Sequence, residues 1–315
     1  MSLIIASQLE EGFNEALRAL PVGPTVVAAP EARPWEAALS ADILLARPSP
    51  AWRGARRAPA PPDWPGRLRW LHSASAGIDF YPDWMLAVPV VSCGRGVASE
   101  EIADYVIAAI YSHTKNLEAV RARSLAEWRQ TPLGRVAGST VGVLGFGSIG
   151  QAVARRAMAL GAEVVATRRR PLPSPIAGVR LVADVREAVA AADHLVLALP
   201  STAETRNLVD AHLLSHAKPT AHLINIGRGA VLDQQALLDA LNGGRLAFAT
   251  LDVTEPEPLP EDHALWLHPR VRLTPHVSSN YTNVRHVLFR QVADSLERFA
   301  RGEAPADLVD VQAGY

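Results

Sequence analysis

Lysine and cysteine are the residues this chain of 315 almost does without. Its one cysteine, Cys93, cannot close an internal disulfide, and cysteine ligands cannot build a zinc or iron–sulfur centre here. That usage suits a reducing compartment. Only Lys115 and Lys218 are lysines, so arginine carries nearly all the basic charge. Neither sign is in excess, with 31 basic against 32 acidic residues, which argues against a nucleic-acid partner. Apolar runs near the ~20 residues needed to cross a bilayer are missing, so no membrane partner is expected. The first basic residue is Arg18, so the charged start of a secretory leader is absent and a cytoplasmic location is expected.

What is present is apolar material, 49% of residues, enough for one large or two moderate domains. From about residue 140, short apolar runs alternate with amphipathic stretches. Val141–Leu144 reads as a strand, Gln151–Leu160 as a helix stopped at Gly161, and Glu163–Thr167 as a second strand. Further runs follow at His194–Leu199, Leu223–Ile226, Leu246–Leu251 and Val271–Leu273. Strands alternating with helices predict a parallel sheet covered on both faces.

The first 95 residues read as a smaller α/β unit, with strands at Leu3–Ala6, Thr25–Ala28, Ile43–Ala46, Arg69–Ser73 and Val88–Ser92 and a helix at Gly12–Leu20. Pro48–Pro65, dense in proline and arginine, reads as an irregular surface loop. Ser99–His113 is a long apolar helix suited to cross from one domain to the other, and a last helix, Thr282–Arg301, suited to return to the first. The expected division is residues 1–95 with 284–315, and residues 96–283.

Gly145-Phe146-Gly147-Ser148-Ile149-Gly150 is a G-x-G-x-x-G run. By itself it is weak, arising by chance in roughly one chain in ten of this glycine content. Its context is strong, because it follows a strand and opens a helix. There Gly145 permits the tight turn, Gly147 lets a pyrophosphate approach the backbone, and Gly150 allows close helix–strand packing. An NAD-specific site places a carboxylate at the end of the next strand, about 20 residues on. Here that end reads Ala166-Thr167-Arg168-Arg169-Arg170-Pro171. Guanidinium groups at Arg168 and Arg169 suit a 2′-phosphate, so NADP(H) is the preferred cofactor, with NAD(H) an alternative.

Three later segments each place a polar residue just past an apolar strand: Arg228 in Ile224–Gly229, Asp252 and Glu257 in Leu251–Pro258, and His276 in Leu273–Val277. An arginine can grip a carboxylate and polarise the adjacent carbonyl, a histidine can exchange a proton near neutral pH, and an acid can orient the imidazole. Singly, each also reads as an ordinary structural or solvated residue; their joint placement is what points to chemistry.

These stretches, with Leu195–Pro200 and Thr205, resemble the D-isomer-specific 2-hydroxyacid dehydrogenases over nearly all of residues 95–285. Residues 75–79 and 94–104 match more loosely, and the tail Val309–Tyr315 is similar to that of the short glyoxylate/hydroxypyruvate reductases. The resemblance implies a two-domain α/β fold: a Rossmann dinucleotide-binding domain, built on a doubly wound parallel sheet, and a smaller flavodoxin-like substrate domain. It implies that Arg228 binds the 2-oxo acid, and that His276 is the general acid in reduction, paired with Glu257. It further implies cofactor contacts from Ser148, Ile149, Leu199, Pro200, Thr205, Ile226 and Asp252. Substrate contacts are implied for Ser75, Ala76 and Gly77, in an interdomain cleft whose closure excludes water. Ala198 stands where many members carry histidine, and Ala103-Asp104 where Ala-Glu is usual.

The implied activity is NADPH-dependent reduction of glyoxylate or hydroxypyruvate to the D-2-hydroxy acid, in a homodimer. Alternatives are a dehydrogenase with another side-chain preference, a formate dehydrogenase, disfavoured by Glu257, and a non-enzymatic NAD(H)-sensing corepressor-like protein. Arg47, Ser49 and Trp52 are expected near the substrate side chain, and Trp128 at a dimer contact, with reach into the neighbouring copy's substrate pocket as the alternative. His212 and His216, at i and i+4, have metal-gripping spacing but read as a solvated helix face, without a third ligand nearby. Cys93 reads as a small packing residue.

Overall fold

The computed structural model describes residues 2–315. The chain forms two compact units, Met1–Val97 with Tyr281–Tyr315, and Ala98–Asn280.

In the first unit the elements run β1 (Ile4–Ser7), α1 (Glu11–Arg18), β2 (Thr25–Ala28), α2 (Pro34–Ala38), β3 (Ile43–Ala46), α3 (Pro50–Ala55), β4 (Trp70–Ser73), α4 (Asp83–Leu86) and β5 (Val90–Cys93). The five strands form one parallel sheet in the order β2-β1-β3-β4-β5, the flavodoxin-like arrangement expected. Because successive strand side chains point to opposite faces, each short run feeds two cores. Ile5, Ile43, Leu45 and Trp70 pack with Phe13 and Leu17 on one face, while Ala6, Leu44, Ala46 and Leu71 pack with Trp52, Tyr81 and Met85 on the other. Burial on both faces is why these strands read as unbroken apolar runs.

The second unit runs α5 (Ser99–Lys115), β6 (Thr140–Leu144), α6 (Ser148–Ala159), β7 (Glu163–Thr167), β8 (Arg180–Leu181), α7 (Val185–Ala191), β9 (His194–Leu197), α8 (Ala211–Leu214), β10 (His222–Asn225), α9 (Gln234–Asn242), β11 (Phe248–Leu251) and β12 (Val271–Leu273). All seven strands are parallel, in the order β12-β11-β10-β9-β6-β7-β8. Read from β6 outward this is the doubly wound Rossmann order, extended by one strand. Val141, Val143, Val164, Val196 and Ile224 pack under α5 and α6; Leu144, Val165, Leu195, Leu197, Leu223 and Leu251 face the opposite layer.

The last helix, α10 (Tyr281–Ala300), belongs to the first unit, where Leu288, Val292, Leu296 and Phe299 join the core around Ile5 and Trp70.

Two local readings are corrected. Pro48–Pro65 is not wholly irregular, because α3 opens on Pro50, a position where a missing N–H costs the helix nothing. That helix carries Trp52 into the core, fully buried, its indole N–H donating to Gln8 Oε1 at 2.6 Å. Trp52 is therefore packing, and Arg47 pairs with Glu31 at 2.9 Å. The second correction is that α6 begins at Ser148 rather than Gln151, so the glycine run leads straight into its first turn.

Candidate active site

Parallel strands bring every carboxyl end to one edge of a sheet, and in the second unit that edge collects most of the expected residues. Gly145 follows β6, Arg168 follows β7, Ala198 to Pro200 follow β9, Ile226 to Arg228 follow β10, Asp252 follows β11, and Thr274 to His276 follow β12.

The phosphate turn has the geometry its sequence calls for. Gly145 sits at φ +103°, and a Cβ there would lie 2.5 Å from the Ala198 carbonyl oxygen. A Cβ on Gly150 would lie 2.3 Å from the Gly145 oxygen, so glycine there lets α6 lie close against its strand. A Cβ on Gly147 would meet nothing within 4 Å, so the turn leaves open space in front of the helix. No side chain caps α6 and its first turn holds no acid, so its N–H donors and dipole remain available to an anion. These residues fit a dinucleotide. The N–H groups of Gly145 and Phe146 both bond the Thr167 oxygen, tying the turn to the strand end that presents Arg168 and Arg169. On the other side, Thr205 Oγ1 donates to the Pro200 carbonyl at 2.6 Å and pins the loop after Leu199. Ile226 is buried beneath.

His276 and Glu257 meet, Nδ1 to Oε1 at 2.8 Å, although 19 residues separate them. His276 adopts φ +54°, a left-handed conformation that costs a non-glycine residue about 1–3 kcal/mol and persists only where the surroundings impose it. They do so through Asp252. Its carbonyl accepts the His276 N–H at 2.9 Å, and its buried carboxylate accepts the N–H groups of Val277 and Ser278 at 2.8 and 2.9 Å.

Arg228 stands where β10 leaves the sheet, its Nη1 donating to the Gly227 oxygen at 2.9 Å. Asn225, buried at the strand end, bonds both sides of this turn: Oδ1 accepts from the Gly227 N–H and Nδ2 donates to the Arg228 oxygen. Sequence reading passed over Asn225, although a polar residue between Ile224 and Ile226 in a buried run is itself the signal. A Cβ on Gly229 would lie 2.0 Å from the Thr254 carbonyl carbon, so only glycine lets this turn lie against the loop after Asp252.

The first unit holds the Ser75–Gly77 loop directly after β4. There Ser75 Oγ donates to the Gly77 oxygen at 3.0 Å, Ser73 Oγ bonds the Ser75 oxygen, and Ala76 is exposed. His212 and His216 touch edge to face at 5.1 Å. Among the described residues no group of three histidine, cysteine, aspartate or glutamate side chains is arranged to hold a metal ion. Cys93 is buried, and burial pushes its thiol up. No helix among the described residues is long and apolar enough to cross a membrane.

Residues 107–278 match the family described as D-isomer specific 2-hydroxyacid dehydrogenase, NAD binding domain. The chain belongs to this family. It is an NAD(P)-dependent dehydrogenase, as its motifs led one to expect. Relatives include a glyoxylate/hydroxypyruvate reductase A of Serratia proteamaculans, 33% identical over 262 residues, 79% of this chain and 82% of that protein. Among solved structures, an NADPH-dependent glyoxylate/hydroxypyruvate reductase of Sinorhizobium meliloti, in complex with NADP and sulfate, superposes with TM-score 0.79 at 28% identity and full coverage of both chains. A family member from Xanthobacter autotrophicus in complex with NADPH gives TM-score 0.80 at 29% identity, covering 100% of this chain and 99% of that one.

Proposed function

We propose that this dehydrogenase uses NADPH to reduce small 2-oxo acids, glyoxylate or hydroxypyruvate, to the D-2-hydroxy acid. The observation that carries the reading is the Glu257–His276 pair, 2.8 Å apart on the strand-end edge that also bears Arg228 and the phosphate turn. A dinucleotide whose pyrophosphate is held at that turn would supply the hydride from its reduced nicotinamide. Arg228 grips the substrate carboxylate through its guanidinium fork and polarises the adjacent carbonyl. Glu257 engages His276 at Nδ1, which leaves Nε2 to deliver a proton to the carbonyl oxygen as it gains charge.

Preference for NADPH is supported by Arg168 and Arg169 at the end of β7, where an NAD site would present an acid, and by the NADP and NADPH bound in the two solved relatives. Asp252 serves the cofactor side of the site through the turn it fixes. Pairing with a second copy of the chain is supported by the segment after α5, where Leu117, Val120, Leu125, Trp128 and Leu133 are all exposed, Leu125 at 91% and Trp128 at 80%.

The test is His276→Ala assayed with hydroxypyruvate and NADPH. Loss of the proton donor lowers kcat on the order of 10²–10⁴-fold. A variant as fast as the wild type would sink the mechanism.

A further inference from the structure

The His276 N–H is held by the backbone carbonyls of Asp252 and Thr274, and the two amides that follow it are held by one side chain. Asp252 takes the N–H of Val277 on Oδ1 and of Ser278 on Oδ2, so where this carboxylate sits decides where the peptide following His276 sits. The carboxylate is in turn located by Thr274, whose hydroxyl donates to Oδ1 at 2.6 Å. A threonine has one hydroxyl proton, and here Asp252 receives it. Tyr105 Oη lies 2.6 Å from the same Thr274 oxygen, so the tyrosine is the donor in that contact. The chain therefore runs one way, Tyr105 to Thr274 to Asp252, and ends at the two amides beside His276. Burial pushes the Tyr105 phenol up, consistent with a permanent donor. Tyr105 comes from α5, 169 residues before Thr274, so it references the turn to a helix of the unit rather than to its own strand.

We propose that Tyr105 and Thr274 are positioning residues for His276, acting through the Asp252 carboxylate. The proposal rests on the reading of His276 as proton donor. Neither residue touches the reacting atoms. With the chain cut, Asp252 can rotate, the 276–278 turn relaxes, and the imidazole loses its alignment with Glu257 and with the substrate carbonyl. Proton transfer slows while the phosphate turn at Gly145 to Gly150 is untouched.

The experiment compares Tyr105→Phe, Thr274→Val and Thr274→Ser, with Tyr111→Phe on the same helix as control. Hydroxypyruvate is the substrate, and NADPH affinity is measured separately by fluorescence titration. Thr274→Val is expected to lower kcat on the order of tenfold, since small displacements of a catalytic group carry large rate penalties. Tyr105→Phe lowers it several-fold. Both shift the alkaline limb of the pH profile of kcat/KM, where a proton donor is lost, and both lower kcat by a larger factor than they raise NADPH Kd, which general loosening of the fold would not. Thr274→Ser, which retains the hydroxyl, restores the rate, and Tyr111→Phe changes nothing. If Thr274→Val does not fold, Tyr105→Phe, which removes a single oxygen, decides the matter. Wild-type kcat and pH profile in Tyr105→Phe, with His276→Ala inactive, overturn the proposal and leave the proton-donor reading standing. An active His276→Ala overturns that reading instead.

Discussion

Arginine dominates the chemistry at the scale of single residues, and position separates the few that matter from the rest. Arg168 and Arg169 stand out only because a strand ends just before them and a glycine turn is bonded to that strand end. Replacing both by alanine removes the fork that a 2′-phosphate needs while leaving the rest of the turn intact. The expected result is a rise in KM for NADPH of at least about tenfold, one lost charge-assisted contact of ~1.4 kcal/mol or more, with KM for NADH nearly unchanged. Equal effects on both cofactors would refute the assignment. The motif residues Gly145, Arg228, Glu257 and His276 were legible through their joint placement past strand ends, not singly. Asn225 left a signal, a polar residue inside a buried run, that went unread; Tyr105 left none, because a hydrogen bond from a helix across to a strand end has no periodic trace in the sequence.

At the scale of elements, the strands were the easiest feature to read. Runs such as Ile43–Ala46 and His222–Asn225 are buried on both faces and announce themselves. Short helices were harder. Pro50–Ala55 hides among prolines and arginines, and only its place against Gln8 and the Trp35–Tyr81–Trp84 cluster makes Trp52 a core residue. The turns at strand ends are where elements become a site, and Gly229 shows how closely they fit. A methyl group there cannot be accommodated without moving the backbone of Thr254. Gly229→Ala is expected to separate the Arg228 turn from the loop after Asp252, lowering kcat/KM more than tenfold and cutting stability by about 1–3 kcal/mol. Thermal melting and steady-state kinetics on the same preparation check both; wild-type values in each would contradict the packing described.

On the scale of the whole molecule, buried histidines set the response to acid. His72 lies in the first unit's core, and burial lowers it to about 4. In the second unit, His194 and His222 start adjacent strands beneath His113 of α5, with Arg272 nearby and Asp193 the acid beside His194. Burial, then the neighbouring histidines, lowers His194 to about 4 and holds His222 well below its ordinary value. A histidine whose folded pKa is depressed takes up its proton first in the unfolded chain. Stability is therefore unaffected above about pH 6.5 and falls as pH drops from there towards 4, by up to ~3 kcal/mol for each of His72 and His194, with His222 acting in the same direction. Melting temperature should decline between pH 7 and pH 5, and His194→Phe should flatten part of that decline; a flat wild-type profile would contradict it. The exposed segment after α5 belongs to this scale too. A dimer is expected in sedimentation at micromolar concentration, and Leu125→Asp with Trp128→Asp should give a monomer, whereas an unchanged mass would exclude this segment as the contact.

The sequence by itself determined the fold class, the family, the phosphate turn and the three polar side chains past late strands. Each of these is a local pattern: an unbroken apolar run, a glycine spacing, or a polar residue ending such a run. Tertiary structure alone decided how closely Glu257, the expected partner, approaches His276 and that His276 is held left-handed beside Asp252. It also decided that Tyr105 reaches Thr274 and that Trp52 turns inward. Those facts depend on which strands lie side by side and how closely their ends approach. Parallel pairing sets that only once the whole sheet has formed, because the groups that meet lie up to 169 residues apart along the chain.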